Sequence, residues 1–364
     1  MAEFFASYGL FLLKVLTFLI AILIVIFTIA MLSSRGRKPG SEGSIEITSM
    51  NEQYDGMREA LSLSLLDDQA RKLAEKDKKA EEKAERKAQK AAAKKARKQR
   101  GDGETHVSEP DKKRVFVMDF DGDIRATAVE NMRREISAIL TAATEQDEVV
   151  LRLESGGGTV TGYGLGASQL DRIKDKKVPL TICVDRVAAS GGYMMACVAD
   201  KLIAAPFAVL GSIGVVAQIP NVHRLLKKFN IDFEMLTAGK YKRTLTIFGE
   251  NTDEGRQKFI EDIERIHDQF KGYVNERRPA LNIDAVATGE IWSGQDVLDN
   301  QLADELGTSD AYLMEQCEDA EVMLVKFKKK KSMAERFSIG IQNTFDGLAM
   351  RWLDRAHKSG TTLS

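Results

Sequence analysis

Ala188-Ala189-Ser190-Gly191-Gly192-Tyr193-Met194-Met195-Ala196 sits between two kinds of local structure. Before it, Leu180 to Val184 is a β-type apolar run. After it, Tyr193 to Val198 reads as an apolar helix. A serine at a strand-to-helix junction has small neighbours that let a substrate backbone come close. The helix N-terminus aims N–H groups at developing negative charge. Two readings stand at this point. Ser190 is a nucleophile, or it caps the helix and the glycines make a tight turn.

Working outward, strands and helices alternate. Val115 to Met118 reads as a strand, and Ala128 to Thr144 as a helix with Met132, Ile136, Ile139 and Leu140 on one face. Val149 to Leu153 is a second strand, ending in Glu154-Ser155-Gly156-Gly157-Gly158-Thr159-Val160. A helix follows through Ile173, and Val178 to Val184 is a third strand. Further strands are expected at Lys201 to Ala204, Val209 to Val216 and Phe233 to Leu236. Helices are expected at 221–229, 252–278 and 295–305. This spacing implies an α/β domain of parallel units with right-handed crossovers.

In such sheets, functional loops gather at the carboxyl ends of the strands. Both the Gly156–Gly158 triplet and Ser190 occupy such ends, and glycine N–H groups suit an oxyanion hole. A phosphate-gripping loop or a plain turn is the competing reading, but no phosphate-loop motif with its lysine is present. A serine nucleophile needs a base. His106, His223, His267 and His357 lie in no turn-rich motif, so a Ser-His-Asp triad is not supported. Lysine is the alternative, at Lys240-Tyr241-Lys242, although most lysines are merely exposed. Free lysine is only about 0.04% neutral at pH 7, so a lysine base requires a site that strips its proton.

Four stretches occur in order: Glu154-Ser155-Gly156-Gly157-Gly158, Ala189-Ser190-Gly191-Gly192-Tyr193, Gly211-Ser212-Ile213-Gly214-Val215 and Gly239-Lys240-Tyr241-Lys242. Together they resemble the signal peptide peptidase A family of serine/lysine peptidases, over about 113–325. The resemblance implies a crotonase/Clp-like fold of repeated β-β-α or β-α-β units. It implies Ser190 as nucleophile, Lys242 as general base and Ser212 as the residue orienting the lysine. Gly157 and the Ser190/Gly191 turn would supply the oxyanion hole. It also implies a homo-oligomer, peptide or membrane-protein substrates, and no metal or cofactor. Gly156 stands where the family usually has proline, and Arg243 where a small or acidic residue is common. The stretch Ile291 to Gly307 is similar to one that closes the fold, which makes an acyl-CoA enzyme one rival reading. A catalytically inactive membrane scaffold is the other.

The ends of the 364-residue chain differ from its middle. Leu10 to Leu32 is almost wholly apolar and spans roughly 34 Å as a helix, enough to cross a bilayer. No Lys or Arg precedes it and no A-x-A site closes it, which favours a retained anchor over a cleaved leader. Arg35, Arg37 and Lys38 follow the run, and the positive-inside rule then puts the body in the cytoplasm. The family resemblance points instead to the periplasmic side of a bacterial inner membrane. Residues 39–112 read as a charged helical or disordered spacer. Within it, Arg71 to Arg100 has 14 Lys or Arg and 5 Asp or Glu, a local charge of +9. That run suits anionic lipid; without interleaved aromatics a nucleic-acid role is not expected. Net charge is −1, so the whole molecule is no polyanion binder. Cys183, Cys197 and Cys317 have neither disulfide nor metal spacing. The expected division is anchor 1–38, spacer 39–112, peptidase domain 113–327 and tail 328–364. In the tail, Phe337, Ile341, Phe345, Leu348 and Trp352 form an apolar stripe, expected to dock on the domain or a neighbouring subunit, with membrane-surface binding as the alternative.

Overall fold

A computed structural model describes residues 9–22, 43–67, a few positions between 69 and 87, and 112–329. Ten strands share one sheet. β1 (Gly43–Ser49) and α1 (Met50–Ser64) come first. Then follow β2 (Arg114–Gly122), α2 (Val129–Ile139), β3 (Glu148–Ser155), α3 (Val160–Asp175), β4 (Leu180–Val184), β5 (Val187–Ala189) and α4 (Gly191–Ala196). β6 (Lys201–Ala204), β7 (Val209–Gly211), α5 (His223–Lys228), α6 (Asp253–Arg277) and α7 (Ile283–Val286) lead to β8 (Ile291–Trp292). α8 (Gln295–Asp299), β9 (Glu305–Leu306), α9 (Ser309–Asp319) and β10 (Glu321–Lys329) complete the order.

The main path across the sheet runs β1-β10-β2-β3-β4-β6-β9. A branch leaves β3 through β5 and β7 to β8. β2, β3, β4 and β6 pair in parallel, as the alternation of strand and helix requires. Both faces of these strands are covered, so their sequences are near-continuous apolar runs. Phe116, Met118 and Phe120 of β2 face the core of α2, α3 and α4, with Met132, Leu170 and Tyr193. Alternating with them, Val115 and Val117 join Val150, Ile203, Leu313 of α9 and Met50 of α1 on the opposite face.

The domain therefore begins earlier than the spacer reading places it. β1 hydrogen-bonds β10 at the sheet edge, and α1 lies against α9. Asn51 is the fastener: its side-chain amide donates to the carbonyls of Cys317 and Ala320, both at 3.0 Å, and accepts the Val322 N–H at 2.8 Å. Ser49 caps α1 by accepting the Glu52 N–H. The compact unit spans Ile45–Phe327.

Other expectations also shift. Val209 to Val216 is a strand only to Gly211, because Ser212 turns the backbone to φ 49°. Phe233 to Leu236 is not a strand; those residues are exposed, and Phe233 packs on Phe248 with ring centroids 5.6 Å apart. The helix expected at 295–305 ends at Asp299. Residues 9–22 are helical with exposed side chains, and the rest of the expected anchor lies outside the described residues. Among the described residues no helix is long and apolar enough to cross a membrane. Most of the basic run 71–100 and the tail stripe also lie outside the described residues.

Asn51→Ala leaves three backbone groups without their partner. It is expected to lower stability by about 2 kcal/mol in denaturant unfolding. A chain begun at Lys113 is expected to unfold at lower temperature than one begun at Gly43; equal melting points would place β1 and α1 outside the domain.

Candidate active site

Parallel register brings three loops to one edge. Ser155 of β3 pairs with Ala188 of β5, and Ala189 pairs with Gly211 of β7. The residues that follow are the Gly156–Gly158 loop, Ser190 and Ser212, so all three leave the sheet side by side. Ser190 sits at φ 51°, ψ −119°, a conformation that costs a non-glycine residue of order 1–3 kcal/mol. Its N–H donates to the Gly211 carbonyl at 2.8 Å, and its own carbonyl accepts the Met194 N–H at 3.0 Å. The turn is thus pinned on both sides. Its side chain makes no capping bond to α4, which removes the plain helix-cap reading.

Close packing explains the flanking glycines. A Cβ on Gly191 would lie 2.4 Å from Cγ of Tyr163, and one on Gly192 would lie 2.5 Å from the Ser155 carbonyl oxygen. Gly191 opens α4, and the first N–H groups of a helix lack intrahelical acceptors. Gly157 has φ +89°, and a Cβ there would meet the Ala189 carbonyl and the Gly191 nitrogen. Its N–H, however, donates to Ser155 Oγ at 3.0 Å. The expected oxyanion donor at Gly157 is therefore already engaged. The next residue, Gly158, lines the cavity at Ser190, and among the described residues its N–H meets no acceptor.

That cavity has a volume of about 80 Å³. Val160, Met194, Val215, Val216, Ile266 and Phe270 give it apolar walls, and Ser190, Gly191 and Gly158 form its reactive side. Ser212 (φ 49°) is half-buried beside it, its N–H bound to the Glu290 carbonyl.

Lys242 is not among the cavity-lining residues. It is exposed, in a turn closed by its own N–H to the Gly239 carbonyl. Lys240 pairs with Glu254 at 2.7 Å, and that hydrogen bond, with Tyr241 alongside, raises its affinity for a proton. Of the two histidines among the described residues, His223 bonds the Phe248 carbonyl and His267 the Ile213 carbonyl. The sequence assigns no role to Tyr163, and Ser155 enters it only as part of the Glu154 to Gly158 stretch. Among the described residues no group of His, Cys, Asp and Glu is placed to hold a metal ion.

A positive-φ serine beside glycine amides that meet no acceptor among the described residues is the arrangement a serine hydrolase uses. Residues 3–170 match the N-terminal part of peptidase family S49, and residues 172–323 match peptidase family S49 itself. The chain belongs to this family and is a serine peptidase. It is 48% identical over 335 residues to "Probable protease SohB" of Haemophilus influenzae, covering 92% of each chain. A second relative of that name, from Buchnera aphidicola subsp. Acyrthosiphon pisum, is 44% identical over 92% of this chain and 93% of its own. A solved structure of a membrane-bound stomatin-specific protease with a substrate peptide matches at 14% identity and TM-score 0.39, over 64% of this chain and all of that one.

Gly191→Ala should abolish labelling of Ser190 by a fluorophosphonate probe, since the added methyl collides with Tyr163. Gly164→Ala, where the same methyl meets nothing within 4 Å, should label at the wild-type rate and gain about 1 kcal/mol of helix stability. Equal labelling of both variants would show that the close approach at Gly191 does not matter.

Proposed function

We propose that the chain hydrolyses peptide bonds through an acyl-enzyme on Ser190, with Lys242 as general base. The observation that carries the proposal is the pinned, positive-φ turn at Ser190 beside the Gly158 amide, which meets no acceptor among the described residues. Neutral Nζ of Lys242 takes the proton from Ser190 Oγ as that oxygen attacks the scissile carbonyl. The Gly158 and Gly191 N–H groups hold the oxyanion, and Gly158 replaces Gly157 in this role. The ammonium returns its proton to the leaving amine. Water then attacks the ester, and Ser190 is released.

A lysine base has to be buried to be neutral, yet Lys242 is exposed in a single chain. The proposal is that a second copy covers it, so that Lys242 of one copy serves Ser190 of the next. Exposed apolar residues cluster in the same part of the sequence: Phe207 at 93%, Val216 at 82%, Phe229 at 66% and Leu236 at 94%. A surface of this kind marks a contact site. Ser212, adjacent to the serine, is the residue proposed to orient the incoming Nζ.

The substrate class follows from the cavity. Its apolar walls accept a small aliphatic side chain before the scissile bond. Gly214 to Val216 belongs to no strand and offers its backbone to an extended peptide. Membrane attachment through Leu10 to Leu32 is part of the proposal and rests on that apolar run. The charge after it favours a cytoplasmic body.

Ser190→Ala, Lys242→Ala and Lys242→Arg are each expected to lose peptidase activity, because guanidinium does not release its proton. Mixing the Ser190→Ala and Lys242→Ala proteins from the unfolded state should restore a fraction of activity. An active Lys242→Arg enzyme would move the base elsewhere, and a mixture that stays dead would confine the dyad to one chain.

A further inference from the structure

We propose that Tyr163 and Ser155 are positioning residues for the oxyanion hole: a buried chain of hydroxyl groups holds the peptide that leads into Gly158, and the Tyr163 ring backs Gly191. The proposal rests on Ser190 being the nucleophile. Tyr163 is fully buried and Ser155 is 2% exposed. Their hydroxyl oxygens are 2.5 Å apart. The direction of every proton in the chain follows from its partners. The Tyr163 hydroxyl donates to the Asp123 carbonyl at 2.8 Å, and a carbonyl can only accept. That uses the one proton of Tyr163, so the Ser155 hydroxyl must donate to Tyr163. Ser155 Oγ is then left with lone pairs, and it accepts the Gly157 N–H at 3.0 Å. An alternative acceptor for the Ser155 proton, the Gly122 carbonyl, lies farther away at 3.5 Å. The sequence is Gly157 N–H to Ser155 O–H to Tyr163 O–H to Asp123 C=O, all pointing one way. Bonds aligned in this manner polarise one another.

Each end of the chain is fixed. The Asp123 carboxylate accepts both the N–H and the hydroxyl of Thr127 at 2.8 Å, which locks the turn that carries its carbonyl. At the other end, the bond to Ser155 fixes the Gly156–Gly157 peptide plane, which is joined through the Gly157 Cα to the plane that carries the Gly158 N–H. The Tyr163 ring acts on the second amide directly. It lies so close to Gly191 that no side chain fits between them. Gly122 clears space for the pair: a Cβ there would be 2.5 Å from both hydroxyl oxygens. One tyrosine thus supports Gly191 with its ring and Gly157 with its hydroxyl, while also lining the cavity.

The test uses the full chain, purified in detergent, in three variants: Tyr163→Phe, Ser155→Ala and the double variant. Tyr163→Phe keeps the ring under Gly191 and removes only the hydroxyl. On a cleavable peptide, kcat should fall about tenfold or more with KM within twofold of wild type, since sub-ångström misplacement of the donors acts on the transition state. Affinity for a peptide aldehyde, whose adduct places an oxyanion in the hole, should fall in step with kcat/KM. The double variant should be no worse than the poorer single variant, because one break severs the chain. Unchanged kcat in Tyr163→Phe, a loss confined to KM, or losses that add in the double variant would each overturn the proposal. If Ser155→Ala does not fold, Tyr163→Phe decides alone. Failure of the underlying reading is seen separately, as probe labelling that survives Ser190→Ala.

Discussion

Everything at the site depends on the bond between the Ser190 amide and the Gly211 carbonyl. Ser190 occupies a backbone conformation that its side chain disfavours, and this bond is one of two that hold it there. The bond exists because β5 and β7 run parallel in a register that ends both strands at the same level. That register depends in turn on β3, whose last residue pairs with β5. A sheet buried on both faces thus gives way, at one edge, to a row of three turns. The strain at Ser190 is small beside the apolar burial of β2, β3 and β4, which is why the fold tolerates it.

The same edge separates what one chain supplies from what it does not. The proposed nucleophile, candidate oxyanion amides and an apolar cavity come together in a single copy. The lysine does not. It lies in the irregular stretch between Ser212 and Thr252, where regular structure is limited to α5 and apolar side chains face outward. A segment so poor in internal contacts is ordered best by something packed against it, and the proposed shared site gives that segment its covering.

Much of this was legible in the sequence. The apolar runs at 115–118, 149–153 and 178–184 read as strands of parallel units, and the small residues around Ser190 left two readings, a nucleophile turn or a helix cap. The choice between Gly157 and Gly158 was not legible. In a run of three glycines no side chain distinguishes one amide from the next; the proposal draws the distinction from the Ser155 hydroxyl, which engages the Gly157 N–H two residues on. β1 and α1 were missed for another reason. Their sequence is half polar and precedes a strongly charged run, and their apolar residues find a core only against α9 and β10, more than two hundred and fifty residues away. The weight of Tyr163 was hidden because a buried aromatic in a helix is ordinary; its hydroxyl, not its ring, carries the information.

The placement of β10 has a consequence for the order of folding. It lies between β1 and β2, so the first two strands made are held apart by the last. Asn51 waits for Val322, 271 positions later, before its bonds can form. A contact so distant closes slowly, because the loop entropy is lost before the contact rewards it. The sheet is therefore incomplete while the chain is still emerging from the ribosome. The strands that carry Ser190 and the glycines are thus made well before the edge at β1 and β10 can close.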